Sequence, residues 1–255
     1  MITSSSPQSW QELQEDTARI LDECGFSVEI ERTVETARGN VELDVYAEEH
    51  VDGRRYTIVC ECKHWRRRIP QAVVLGFRTV IGDIGANLGL VVASKGFQLG
   101  AKAAAKLTNV RLVTWTEFQA DFECSWLTNY LYPTVAARCD PLLTYTEPLL
   151  PQWFVGLTPD QRARYAGLKR QYDEFGRIMI AFTPYMRMLH PTAVPKLPLR
   201  AHVATAAGSE SVVPDAILDA TGYREFLDAA LAHSDFVVQQ FRELRPLAEP
   251  PSEYE

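Results

Sequence analysis

The sequence predicts an α/β domain, a mixed β-sheet flanked by helices, followed by a mainly helical C-terminal region. Three observations predict it. Residues 41–48 and 56–63 alternate apolar and polar side chains with the period of two that a half-buried strand requires. After them, short apolar runs alternate with helical patterns, as in parallel strands joined by crossover helices. From about Tyr132 the strand signals stop and the remaining periodicity is helical. The expected domains are therefore residues 8–127 and residues 128–255, the second with no role that its sequence names.

Ser9-Trp10-Gln11-Glu12 is a capping-box pattern, with Ser9 as N-cap and a glutamate three residues on. Behind it Leu13, Thr17, Ile20, Leu21 and Cys24 recur at helical spacing, and Gly25 marks the stop. Residues 26–31 read as a short strand. In residues 41–48, Val41, Leu43, Val45 and Ala47 are expected on one face and Glu42, Asp44, Tyr46 and Glu48 on the other. In residues 56–63, Ile58, Cys60 and Cys62 oppose Val59, Glu61 and Lys63. The intervening Val51-Asp52-Gly53-Arg54 carries Asp-Gly, a strong turn signal, so the two segments pair as an antiparallel hairpin. Pro70 opens a helix that Val73, Val74, Phe77, Val80 and Ile81 continue. Residues 88–93 are a buried strand, 100–107 an Ala-rich helix, 110–115 a strand and 117–127 a closing helix.

Beyond Tyr132, Pro133, Pro141, Pro148, Pro151 and Pro159 predict a linker or irregular segment. Residues 160–175 follow as a helix started by Thr158-Pro159, and residues 177–189 as another, kinked at Pro184. Residues 190–199 are Pro-rich and residues 204–211 rich in small residues. Phe226, Ala229, Ala230, His233, Phe236, Val237, Phe241 and Leu244 mark a long amphipathic helix whose stripe is core or a dimer seam. The acidic tail, residues 247–255, is expected to fray.

Composition narrows the function classes. With 46% apolar and 23% charged residues the chain is globular. Its net charge of -7 excludes a purely electrostatic coat for nucleic acid, so any nucleic acid must be gripped by a local patch. The five cysteines are odd in number and lack CxxC spacing. The start of the chain shows no basic-then-apolar leader, and no apolar run reaches the ~18 residues of a membrane span. A reducing, cytoplasmic setting with free thiols and no membrane is the expectation. Cys60, Cys62 and His64 fit no zinc-ligand spacing and lie in or beside an apolar run.

Glu61 and Lys63, two apart on one strand, project from one face, and the hairpin brings Asp44 towards them. Two clustered carboxylates raise each other's pKa unless a cation sits between them. Mg²⁺, with Mn²⁺ as its substitute, suits hard oxygen ligands, polarises a phosphate and acidifies bound water. Lys63 then orients that water, assists its deprotonation, or stabilises the developing charge. Such parts fit phosphodiester hydrolysis; the bland alternative is a surface ion-pair cluster worth ~0–1 kcal/mol. Directly after Lys63 come His64, Trp65, Arg66, Arg67 and Arg68. Arginines there suit phosphates and Trp65 a base or sugar, against a solvated charge run with Trp65 in the core. Gln71 is a lesser candidate for orienting substrate, against a plain helix-surface glutamine.

Asp44…Glu61-Cys62-Lys63 resembles the PD-(D/E)xK nuclease signature, and its surroundings resemble the Mrr-type restriction endonucleases. The matches are Leu21-Asp-Glu-Cys-Gly25-Phe26, Glu42-Leu43-Asp44-Val45, Val59-Cys60-Glu61-Cys62-Lys63, Leu90-Val-Val-Ala-Ser94-Lys-Gly96-Phe97 and Val110-Arg-Leu-Val-Thr-Trp115, spread over residues 8–120. The resemblance implies a restriction-endonuclease-like fold and Mg²⁺-dependent endonucleolytic cleavage of DNA in restriction or defence. It implies Asp44, Glu61 and the Cys62 main-chain carbonyl as metal ligands and Lys63 as the catalytic lysine. Two features depart from the pattern. Leu43 stands where the motif's proline would be, and Gln14 stands where many relatives carry a glutamate on the first helix. Glu15 or Glu42 substitutes for that acid, or the site holds one metal. The alternatives are a catalytically weakened nuclease-fold DNA-binding module and a ligand-regulated effector nuclease. A double-strand cut usually needs two active sites, which leaves a homodimer open.

Overall fold

The computed structural model describes residues 1–189, 194–203 and 212–244, the side chains of 202 and 203 excepted. The Pro-rich residues 190–193, with His190, the small-residue stretch 204–211, the acidic tail and the side chain of His202 lie outside the described residues. Two compact units divide the chain, Met1–Tyr130 and Leu131–Glu255.

The first unit opens with α1 (Trp10–Glu23). The Ser9 hydroxyl accepts the Glu12 N–H, but the Glu12 carboxylate turns to the Gln8 N–H at 2.7 Å, so only half of the expected capping box closes on Ser9. At its far end Gly25 takes φ +98, and the Gly25 and Phe26 N–H groups return to Asp22 and Leu21. This left-handed turn satisfies the last carbonyls and ends the helix. Then come β1 (Ser27–Thr36), β2 (Gly39–Val51) and β3 (Arg54–Lys63), an antiparallel meander. Asp52 and Gly53, both at positive φ, form the two-residue turn between β2 and β3 that Asp-Gly predicted. β1 runs five residues past the expected strand: it is an edge strand that is nowhere fully buried, and the added residues 32–36 are polar or charged but for Val34, so they show little hydropathic signal.

Next follow α2 (Gln71–Ile84), β4 (Leu88–Ala93), α3 (Leu99–Ala105), β5 (Val110–Thr114) and α4 (Trp115–Trp126), with a π-helical turn over Leu127–Leu131. β4 and β5 add in parallel, giving a five-stranded mixed sheet in the order β1-β2-β3-β4-β5. Val74, Phe77 and Ile81 of α2 pack on Val59 and Val91, and a Cβ on Gly89 would fall 2.8 Å from Ile81. On the opposite face Cys62 meets Thr17 of α1 at 3.8 Å. Trp115, expected to end the last strand, instead starts α4, because Thr114 and Glu117 close a capping box in front of it.

The expected alternation of residues 41–48 fails at one place. Leu43 and Tyr46, three apart, belong to the same core cluster against α2, so the faces exchange between them. Around that point the ladders are interrupted. β1 pairs Ile30 with Val45 and Arg32 with Leu43 but skips Glu31, which sits at φ +55, and the β2–β3 ladder ends at Val45↔Cys60. Asp44 is the residue at the break.

In the second unit, the segment expected to be irregular is largely α5 (Tyr132–Thr146). Pro133 falls in its first turn, where no N–H is needed, and Val135, Cys139, Leu142 and Tyr145 form a buried stripe that carries Pro141 inside the helix. A 3₁₀ turn (Gln152–Gly156) precedes α6 (Pro159–Ile180), capped by Thr158 and Gln161. α6 runs past Phe175, and Pro184 starts a separate helix, α7 (Pro184–Leu189), rather than kinking one. Short α8 (Arg200–Val203) and α9 (Asp215–Leu218) lead to α10 (Tyr223–Arg242). Phe241 of α10 stacks on Tyr145 with centroids 4.8 Å apart and meets Tyr165 edge-on, whereas Phe236, expected in the stripe, is exposed. Among the described residues no helix is long and apolar enough to cross a membrane.

Candidate active site

At the break in β2 the chain brings Asp44, Glu61 and Lys63 together. Lys63 Nζ lies 2.5 Å from Glu61 Oε1 and 3.5 Å from Asp44 Oδ2. Asp44 Oδ2 also accepts the Cys62 N–H at 2.7 Å. That bond is available because β2 leaves the β3 ladder at Val45↔Cys60, so the next outward-facing amide of β3 has no strand partner from β2. A strand residue's N–H and C=O point to the same edge, so the Cys62 carbonyl is turned towards the Asp44 side as well.

The three charged side chains are 21–27% exposed, between surface and core. Burial pushes the Glu61 carboxyl above its ordinary value, Lys63 pulls it down, and Asp44 adds to the rise. For Lys63 burial works downward, but the charge and hydrogen bond of Glu61, with Asp44 behind, outweigh it and raise the ammonium pKa. Burial also raises the Cys62 thiol, leaving it neutral and facing Thr17. Glu61 and Lys63 open into a cavity of about 330 Å³ walled by Glu42, Leu43, Val73 and Gly76.

Residues 6–120 match the family model Mrr_cat, described as restriction endonuclease. They form a restriction endonuclease domain. A solved structure described as "Crystal Structure of Protein of Unknown Function AF1548" is similar at 24% identity and a TM-score of 0.36, over 42% of this chain and 59% of that one. The chain thus spans under two thirds of that relative's length. No curated protein matches.

Within the restriction endonuclease domain the other expected residues are placed unequally. Gln14 is 3% exposed and shares the buried face of α1 with Thr17, while Glu15 is exposed. Glu42 lines the cavity with Glu61 and Lys63. Among the described residues no three His, Cys, Asp or Glu side chains are grouped for a metal ion. His64 is half-buried. Trp65 is partly buried and packs against the core cluster under α2, with Arg67 5.8 Å from its ring centroid. Arg66, Arg67 and Arg68 are exposed in the loop that follows. Gln71 is exposed and lies over Gly100 of α3, outside the cavity wall. All five cysteines are free.

Ser94 was missed as a positioning residue. Its N–H reaches the Lys63 carbonyl at 3.2 Å and its hydroxyl the Trp65 carbonyl at 3.1 Å, fastening the end of β3 to the end of β4. The available signal was its place directly after a buried parallel strand, one residue past Ala93, which is level with Lys63.

Proposed function

We propose that this protein is a divalent-metal-dependent endonuclease that hydrolyses DNA phosphodiester bonds, in restriction or defence against foreign DNA. The observation that carries the reading is the meeting of two carboxylates and one ammonium at the splayed end of β2 and β3, in a restriction endonuclease domain. Asp44, Glu61 and the Cys62 carbonyl are hard oxygen donors. Such a set fits Mg²⁺ or Mn²⁺, which accept one or two carboxylates and take the rest of their shell from water and phosphate oxygens. When bound, the ion supplies Lewis acidity towards the phosphate and acidifies water. Asp44 is oriented for that task by the Cys62 N–H, and Lys63 supplies a fixed positive charge beside the reacting phosphate. Arg66, Arg67 and Arg68 hold neighbouring phosphates. The division into a nuclease domain at 8–127 and a helical region from 128 belongs to the same proposal, as does a homodimer for double-strand cuts.

Purified protein is expected to cut double-stranded DNA with Mg²⁺ or Mn²⁺ and not with chelator, and Lys63→Ala to bind DNA without cutting it. Single-stranded, methylated and RNA substrates run alongside define the substrate. Equal cutting by Asp44→Ala and wild type rejects the site. A second reading, a DNA-binding module with weakened catalysis, is favoured by one observation: Gln14, not an acid, occupies the buried face of α1. It is supported instead if DNA binds and no divalent ion does.

A further inference from the structure

The cations of the first unit fall into two populations. Residues 1–61 hold fourteen Asp and Glu and five Arg, whereas residues 62–116 hold nine Lys and Arg and one acid, Asp83. Every arginine of the acidic segment has a carboxylate partner: Arg19 with Asp16, Arg32 with Glu29, Arg38 with Asp83, Arg54 with Asp52 and Arg55 with Glu48. In the basic segment Lys63 is held by Glu61 and Asp44, Arg111 by Asp121, and Arg78 donates to the Ala104 carbonyl. Arg66, Arg67, Arg68, Lys95, Lys102 and Lys106 remain. All six are exposed, and none makes an ion pair among the described residues. Six unneutralised cations repel one another, and on a chain of net charge -7 they stand out as a surface for a polyanion.

The fold gathers five of them around the carboxyl ends of the parallel strands, while Lys106, the C-cap of α3, lies towards the start of β5 and joins them across one cavity. β3, β4 and β5 are parallel and end side by side at Lys63, Ala93 and Thr114. The arginine loop is stitched to the loop after β4, with Ile69 N–H to Gly96 carbonyl and Gln98 N–H to Ile69 carbonyl, each at 3.0 Å. Lys95 stands in that second loop. Lys102 and Lys106 flank a cavity of about 410 Å³ that Gly96, Phe97 and Thr114 also line. The acid beside them, Glu117, is spent as the cap of α4: the Thr114 backbone N–H and hydroxyl hold its carboxyl below the ordinary value, with Lys102 contributing less. At ~4.8 Å per strand the walk from β3 to β5 is ~10 Å, the axial length of about three phosphates of one DNA strand.

We infer that DNA leaves the Asp44–Glu61–Lys63 site across the carboxyl ends of β4 and β5 and along α3, where Lys95, Lys102 and Lys106 contact its phosphates, and not across the acidic β1–β2 side. The inference rests on the nuclease reading of that site and adds the direction of the substrate. Its test is the salt dependence of duplex binding by the full chain, measured with a ~20-base-pair DNA and no divalent ion. Lys95, Lys102 and Lys106 are changed together to Gln in one variant and Arg19, Arg54 and Arg55 in a control, so both lose the same charge. Each phosphate contact contributes about 0.9 to the slope of log affinity against log salt, so the lysine variant should be flatter by about 2.7. Between about 50 and 200 mM salt the wild type should then lose about 40-fold more affinity than the lysine variant. The control should follow the wild type, and Lys102→Gln alone should flatten the slope by about 0.9. A lysine variant with the wild-type slope overturns the inference, as does equal flattening in the control. Wild type that binds no duplex at any salt removes the nuclease reading itself, a distinguishable failure.

Discussion

Lys63→Met keeps most of the side-chain volume and removes the ammonium that lies between Asp44 and Glu61. Exposed ion pairs contribute ~0–1 kcal/mol, and removing one partner of a buried pair costs ~3–5 kcal/mol. The site's 21–27% exposure lies between these cases, so a loss of about 2 kcal/mol is expected without metal. The sign with pH follows from Glu61. Burial already raises its carboxyl, and the variant loses the pull of Lys63 against that rise. The folded state then holds its proton to higher pH than the unfolded state, so stability falls as pH rises through the window above the ordinary glutamate value. The deficit of Lys63→Met is therefore largest near about pH 8 and shrinks as pH falls towards that ordinary value. Mg²⁺ at about a hundred times its Kd adds about 2.7 kcal/mol and should recover most of it, while cleavage stays lost. Urea titration followed by tryptophan fluorescence, with Trp65 packed beside the site, should show a midpoint about 1 M lower that Mg²⁺ restores. A variant as stable as wild type at about pH 8, and indifferent to Mg²⁺, refutes this electrostatic account.

Three further outcomes follow from the same geometry. Gly89→Ala pushes a methyl to 2.8–2.9 Å from Ile81 and Phe77 and should cost about 1–3 kcal/mol, read as a lower denaturation midpoint. Gly76→Ala places its methyl in open space in the interior of α2 and should stabilise by about 1 kcal/mol; because Gly76 walls the cavity beside Glu61 and Lys63, Gly76→Leu should slow cleavage while the fold stays intact by circular dichroism. Metal binding requires the Glu61 carboxylate, whose pKa is raised, so Mg²⁺ affinity should climb with pH until that group is ionised and then level off. Titrations in two buffers of different ionisation enthalpy would reveal the released proton, and a pH-independent affinity would contradict the assignment.

Much of this was legible because it depended on local chemistry. Asp52-Gly53, both at positive φ, adopts one of the two kinds of two-residue turn that join twisted strands without splaying them, and that turn fixes the register that carries Val45 to Cys60. Glu61 and Lys63 share a face because a strand repeats every two residues, whatever surrounds it. For Asp44, the meeting with Lys63 has a cause that pattern alone does not contain. Its approach to Lys63 depends on the change of face between Leu43 and Tyr46 and on the end of the ladder at Val45, both set by packing against α2 and by β1 skipping Glu31. α5 was hidden by its own residues. Pro133 and Pro141 read as breakers, yet the first needs no N–H and the second is held by a buried stripe whose partners come from elsewhere in the second unit. Phe236 misled, since it stands in an apolar stripe yet is exposed, whereas Trp65 amid arginines is partly buried and packs on the core cluster.

Calorimetric titration of Mg²⁺ or Mn²⁺ into wild type, Asp44→Asn and Glu61→Gln tests most directly whether these two carboxylates hold a divalent ion beside Lys63. Saturable binding to the wild type, weakened at least tenfold by either substitution, is the predicted result. Binding that both variants retain at full strength would contradict it.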